Sequence, residues 1–204
     1  MPVQPVGEQV HGIAEEDALR ARFYGLLAHL LAGPPSSETL ENLRHLEGDD
    51  TEMGRALFDL AAAAAAIAPE QVEAEFNALF IGLSEGELIP YGSYYLTGFL
   101  YEKPLADLRS DLDSLGIARS EDVSEPEDHI ASLCEVMHGL IVGAFGPPVD
   151  INAQRTFFDA HVNSWASRFF TDLETAEQAV LYRPIGTVGR TFMAIEREAF
   201  SMAE

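Results

Sequence analysis

Apolar residues recur at intervals of three and four along nearly the whole chain. No stretch alternates apolar and polar residues as a half-buried strand would, so the pattern predicts an all-α fold. Leu19, Phe23, Leu26, Leu27, Leu30 and Leu31 share a face over residues 15–32, and Gly33-Pro34-Pro35 stops that helix. A short helix carrying Leu40, Leu43 and Leu46 follows Ser36 and Ser37. An alanine-rich helix occupies 51–68, and Pro69 suits the first turn of the next, where Val72, Phe76, Leu79, Phe80 and Leu83 line one side. Another helix runs from Lys103-Pro104 to Gly116. A broadly apolar helix then starts at Ser124, with Ile130, Leu133, Cys134, Met137, Ile141 and Ala144 as its core stripe. Asp150 caps a helix carrying Phe157, Phe158, His161, Trp165, Phe169 and Phe170. Two further helices are expected on either side of Arg183-Pro184-Ile185-Gly186. The economical reading is one helical domain over 1–204 with about nine helices. It has a flexible segment at 1–14 and loops at 84–98 and 117–124.

Charge narrows the partners. Thirty-four acidic residues against 12 Lys and Arg give a net charge of −22. Such a field repels nucleic acid and anionic membrane and attracts basic partners. The single cysteine, Cys134, allows no intrachain disulfide, which fits a reducing compartment. The first residues lack the basic and apolar regions of a secretory signal, and the Ala61–Ala66 run is too short to span a bilayer. The expectation is a cytoplasmic protein without stable membrane insertion. The phosphate-binding glycine loops and the GxSxG elbow are absent, leaving an enzymatic reading little support.

Four segments carry candidate chemistry. In Glu125-Pro126-Glu127-Asp128-His129, Ser124 and Glu127 form a capping-box pattern at the expected helix start. Helical angles there place Asp128 opposite the core stripe as an exposed acid, beside a half-buried His129. In Phe76-Asn77-Ala78-Leu79-Phe80 both rings and the leucine share one side, as core packing alone would require. Pro90-Tyr91-Gly92-Ser93-Tyr94-Tyr95 is rich in tyrosine, where packing onto the domain and ligand contact are equally open. His161 and Trp165 stand one turn apart, as a satisfied histidine on an aromatic ring would. Cys134 and His138 are also one turn apart and could be drawn as a metal site with Asp128 or Glu135, although no CxxC or HExxH pattern is present.

Taken in order, these segments resemble the TorD/DmsD family of cytoplasmic chaperones that mature molybdenum-containing redox enzymes. Phe76-x-x-Leu79-Phe80, Pro90-Tyr91-x-Ser93-x-Tyr95-Leu96, Glu125-Pro126-x-Asp128-His129 and Phe157-Phe158-x-x-His161 followed by Trp165 match the family's motifs. Ser164 stands where the family usually has proline before that tryptophan. The resemblance implies an all-α fold, no catalysis, and binding of a twin-arginine signal peptide on the apo form of a molybdoenzyme catalytic subunit. The client's molybdopterin guanine dinucleotide would be inserted before export. The resemblance leaves room for transient contact with that cofactor or with a guanine nucleotide. It also leaves open a monomer or a helix-exchanged dimer, and leans toward a formate dehydrogenase as client. Under it Asp128 and Glu125 pair with the leader's arginines, and His129 orients Asp128 or bonds peptide backbone. Pro90, Tyr91, Ser93, Tyr95, Phe76, Leu79 and Phe80 supply the remaining contact surface. The alternative is a metal- or nucleotide-handling enzyme using Asp128, His129, Cys134 and His138.

Overall fold

The computed structural model describes residues 13–82, 86–118 and 125–202, so Ser124, Leu83 and most of the 117–124 link lie outside the described residues. Within these the chain is helical: α1 (Glu15–Ala32), α2 (Ser37–Arg44), α3 (Glu52–Ala66), α4 (Pro69–Phe76), a π-helical turn (Asn77–Ile81), α5 (Gly92–Thr97), α6 (Lys103–Ser114), α7 (Ile130–Val142), α8 (Ile151–His161), α9 (Ala166–Thr175) and α10 (Tyr182–Met202). α7 packs along α1, while α10 packs against both α9 and α3. α7 is buried around most of its circumference, from Ile130 to Ile141, which makes it the central helix its apolar content predicts. Gly143, at φ 79°, ends it in the left-handed conformation open to glycine.

Polar contacts fix how the helices meet. Arg20 of α1 forms a bidentate pair with Glu196 of α10, at 2.6 and 2.8 Å, and the Tyr24 hydroxyl donates to the same carboxylate at 2.9 Å. Glu196 is fully buried, so only this full set of donors makes its charge tolerable there. Close approach of α9 and α10 depends on glycine. A Cβ on Gly189 would fall 2.2 Å from the Phe170 ring, and one on Gly186 would fall 2.8 Å from the Glu174 amide.

Five expectations from the periodicity are corrected. The outer flank of α1 is solvent-facing: Leu19 is 54 % exposed, and the buried face runs through Ala21, Tyr24, Leu27, Leu30 and Leu31. Residues 92–97, read as loop, form α5. α7 begins at Ile130 instead of Ser124, because Pro126–His129 closes a turn in which the His129 amide donates to the Pro126 carbonyl at 3.1 Å. Glu127 pairs with Arg109 of α6 at 2.8 Å. The helix expected after Asp150 is two, α8 and α9, broken at Val162–Trp165, whereas the two expected around Pro184 are the single α10. Pro184 sits in the first turn of α10, where backbone N–H groups have no intrahelical acceptor to lose.

Candidate functional site

Two motifs distant in sequence are stitched together by backbone. The Ile130 amide donates to the Pro90 carbonyl, and the Gly92 amide to the Asp128 carbonyl, each at 2.9 Å. Tyr91 and His129 therefore face each other as an isolated antiparallel bridge, with ring centroids 5.0 Å apart. Side chains of extended backbone point alternately to opposite sides. Tyr91 and His129 take one side of this link, and Gly92 and Asp128 take the other.

The first side opens on a cleft of about 530 Å³ between α1, the Phe76–Ile81 segment and α7. Phe76, Phe80, Pro90 and Tyr91 give it aromatic and apolar walls. The opposite wall is made by Gly25, Ala28 and Ala32, small residues three and four apart on α1. His129, Ser132, Glu135 and His138 come from the α7 side, and Glu125 stands at the rim. Among the described residues, the charged ones lining it are Glu125 and Glu135, with no lysine or arginine. A side chain at position 25 would narrow it, since a Cβ on Gly25 would meet His138 Nδ1 at 3.2 Å.

Each titratable group in the cleft has a set state. His129 Nδ1 accepts the Ala131 amide at 3.1 Å as the N-cap of α7. The neutral ring therefore carries its proton on Nε2, which is left as a donor. Burial pushes the His129 pKa down to about 4, against the smaller opposing pull of Glu125 and Asp128. Burial and the hydrogen bond it donates to Glu125 raise the Tyr91 phenol well above its ordinary range. His138 Nδ1 bonds the Ala21 carbonyl at 2.8 Å, tying α7 to α1.

The structure separates the candidate residues into two groups. Phe76, Phe80, Pro90, Tyr91, Glu125 and His129 line the cleft, whereas Leu79, Ser93, Tyr95 and Asp128 do not. Leu79 is fully buried core. Tyr95 is buried against Trp165 and Phe169, with its hydroxyl donating to Asp172 at 2.9 Å. Asp128 is the main correction: it is 3 % exposed, not a surface acid, and its Oδ2 accepts the Ser93 amide at 2.7 Å. The carboxylate turns inward because it caps α5, whose own N-cap residue, Tyr91, contributes no side-chain bond. The metal alternative also fails on geometry. Among the described residues no three His, Cys, Asp or Glu side chains converge on a point. Cys134 is fully buried with its thiol pKa pushed up to about 12, which removes it as a nucleophile. His161 bonds Asp111 at 2.7 Å, packs on Phe157, and receives the Trp165 indole N–H on its carbonyl at 2.8 Å. Gly25, Ala28, Ala32 and Ser132 were not singled out from sequence, and Glu135 only as a possible metal ligand. The small-residue spacing on α1 was their one visible signal.

The cleft is walled by residues of three of the four motif segments: Phe76 and Phe80, Pro90 and Tyr91, and Glu125 and His129. The nitrate reductase delta subunit family matches residues 46–171, more than half of the chain, and the chain belongs to that family. All four motifs that suggested TorD/DmsD chaperones lie inside that span. The chain is 29 % identical over 171 residues to the chaperone protein TorD of Aliivibrio fischeri, covering 74 % of this chain and 80 % of the relative. It is 22 % identical over 200 residues to the chaperone protein TorD of Vibrio atlanticus, covering 88 % and 93 %. A crystal structure described as a redox enzyme maturation protein from Archaeoglobus fulgidus superposes with a TM-score of 0.59 at 18 % identity. That match covers 92 % of this chain and 99 % of the other, and shows a shared fold.

Proposed function

We propose that this protein is a maturation chaperone for a molybdenum-dependent oxidoreductase, and that the cleft receives part of the client's twin-arginine export leader. One observation carries the reading: among the described residues, an apolar-walled cleft of about 530 Å³ has carboxylates as its charged lining residues. A twin-arginine leader joins two guanidiniums to an apolar stretch. Phe76, Phe80, Pro90 and Tyr91 receive the apolar part, in the manner of a segment laid in a groove. Glu125 and Glu135 accept the fork of donors on an arginine. His129 Nε2 donates to a peptide carbonyl, and its Nδ1 bond to Ala131 holds the ring in that tautomer. Asp128 acts indirectly, by holding the Pro90–Ser93 segment in place. Membership of the family and the likeness to TorD chaperones support the choice of client class. Holding the leader keeps the apo-enzyme from export while its cofactor is inserted.

Calorimetry with a synthetic twin-arginine leader tests this. Phe80→Ala removes about 1–2 kcal/mol of apolar contact and weakens binding roughly tenfold. Glu125→Gln with Glu135→Gln weakens it several-fold, as exposed ion pairs of about 0.5–1 kcal/mol each imply. Parent-like affinity in both variants rules the cleft out as the leader site.

A further inference from the structure

Two imidazoles on the α7 side of the cleft are held in opposite tautomers. His129 Nδ1 accepts the Ala131 amide, so the proton of the neutral ring sits on Nε2, which donates. His138 Nδ1 bonds the Ala21 carbonyl, which can only accept, so here Nδ1 carries the proton and Nε2 of the neutral ring accepts. Among the described residues neither Nε2 has a protein partner, and neither is sealed from solvent. Both rings line the cleft, together with Ser132, whose hydroxyl serves as donor or acceptor. The α7 side thus offers one fixed donor and one fixed acceptor, the two kinds of partner that a peptide main chain requires. The interior of an α-helix can use neither, because its N–H and C=O groups are bonded to each other. Extended chain leaves both free.

The room available points the same way. The cleft follows about two turns of α1, from Gly25 to Ala32, a length of roughly 10 Å. Two turns of helix with their side chains occupy on the order of 1000 Å³, against a cleft of about 530 Å³. Three residues of extended chain, each about 3.3 Å long, 4.8 Å wide and 10 Å through the side chains, occupy about 480 Å³. We propose, resting on the leader reading, that the cleft takes its peptide as an extended strand. The peptide's main chain lies along α7, accepting from His129 Nε2 and donating to His138 Nε2. Its successive side chains point in turn to the aromatic wall of Phe76 and Phe80 and to the α1 wall of Gly25, Ala28 and Ala32. The partner class is therefore a segment with apolar residues at every second position in the cleft, instead of at the three- and four-residue intervals of a helix.

Calorimetry with the full chain compares several forms of one twin-arginine leader peptide. One form is unmodified. A second is locked as a helix by a lactam between residues four apart in the apolar stretch. A third set replaces one amide of that stretch at a time by an ester, which removes a single N–H. The helix lock is expected to weaken binding at least tenfold. One ester position is expected to weaken it several-fold, as loss of one hydrogen bond implies. His138→Asn keeps a donor for the Ala21 carbonyl but has no counterpart of Nε2. It is expected to bind the unmodified leader several-fold more weakly and to be indifferent to the sensitive ester. Equal or tighter binding of the helix-locked form overturns the proposal, as does an ester scan with no sensitive position or a sensitive ester whose effect persists in His138→Asn. If the strand tests fail while the unmodified leader binds and Phe80→Ala weakens it, the leader reading stands and the strand form alone falls. No binding of the unmodified leader removes both.

Discussion

Buried carboxylates in this protein act mainly as caps supplied from a distance. Glu75 of α4 is 7 % exposed and accepts the amides of Val180, Leu181 and Tyr182 at 2.7, 3.1 and 2.8 Å, closing the start of α10. Those amides precede or open a helix and have no acceptor within it. Glu75→Ala is expected to cost about 2–3 kcal/mol, read as a shift of the urea midpoint at constant slope, because it strands several buried donors at once. Glu75→Gln, which keeps one acceptor oxygen, costs less. His129 makes a second residue-level prediction. Its pKa falls from an ordinary 6.5 to about 4 on folding, so between those values the unfolded chain binds the proton that the folded chain refuses. The stabilisation that goes with a neutral His129 is complete above pH 6.5 and is lost as the pH falls toward 4. The ring is partly exposed, so the loss is on the order of 2 kcal/mol. In His129→Asn, which preserves a helix-capping acceptor, the stability difference between pH 7 and pH 4 shrinks by that amount. An unchanged pH profile disproves the assignment.

At the level of elements, α5 shows what long-range capping achieves and what periodicity cannot reveal. Six residues are far too few to hold a helix alone. α5 persists because Asp128, 35 residues away in sequence, takes the Ser93 amide, and because Tyr95 is packed under Trp165. Asp128→Ala is expected to increase hydrogen exchange at the Tyr95 and Gly98 amides, which donate within and at the end of α5, at least tenfold. The α7 amides from Leu133 onward keep their protection, since His129 still caps that helix. Equal loss of protection in both helices would mean that Asp128 supports the whole domain instead of this one element. The same contrast explains how far the sequence could be read. α1, α3, α6 and α7 were legible because each buries a face long enough to impose a period. α5 was not, because its stabilising acid lies in another segment. The break between α8 and α9 was not, because Trp165 and Phe169 keep the helical spacing across it. Pro184 misled because a proline in a first turn and one in a helix interior look alike until the helix start is known. At the site, aromatic and acidic residues announced themselves, but whether Asp128 faced solvent depended on where α7 began. With the start misplaced by six residues, the carboxylate was put on the wrong side of the chain.

The whole molecule carries a net charge of −22, and among the described residues the cleft lining holds two carboxylates and no lysine or arginine. Charge and apolar contact should therefore separate kinetically in leader binding. The long-range field acts on encounter, so raising ionic strength from about 0.01 M to 0.15 M, which shortens the screening length from about 30 Å to about 8 Å, lowers the association rate. The apolar walls act after encounter, so they set the dissociation rate. Stopped-flow measurement with a labelled twin-arginine leader is expected to show an association rate falling roughly tenfold over that range, with dissociation changed much less. Phe80→Ala should do the reverse, raising dissociation and leaving the salt dependence intact. Glu125→Gln with Glu135→Gln removes two of 34 acidic residues, so it barely alters the overall field. If that pair of changes flattens the salt dependence as strongly as screening does, steering comes from the cleft rim alone and not from the net charge. If the salt dependence survives them while affinity drops, the general acidity gathers basic segments and the two rim glutamates retain them.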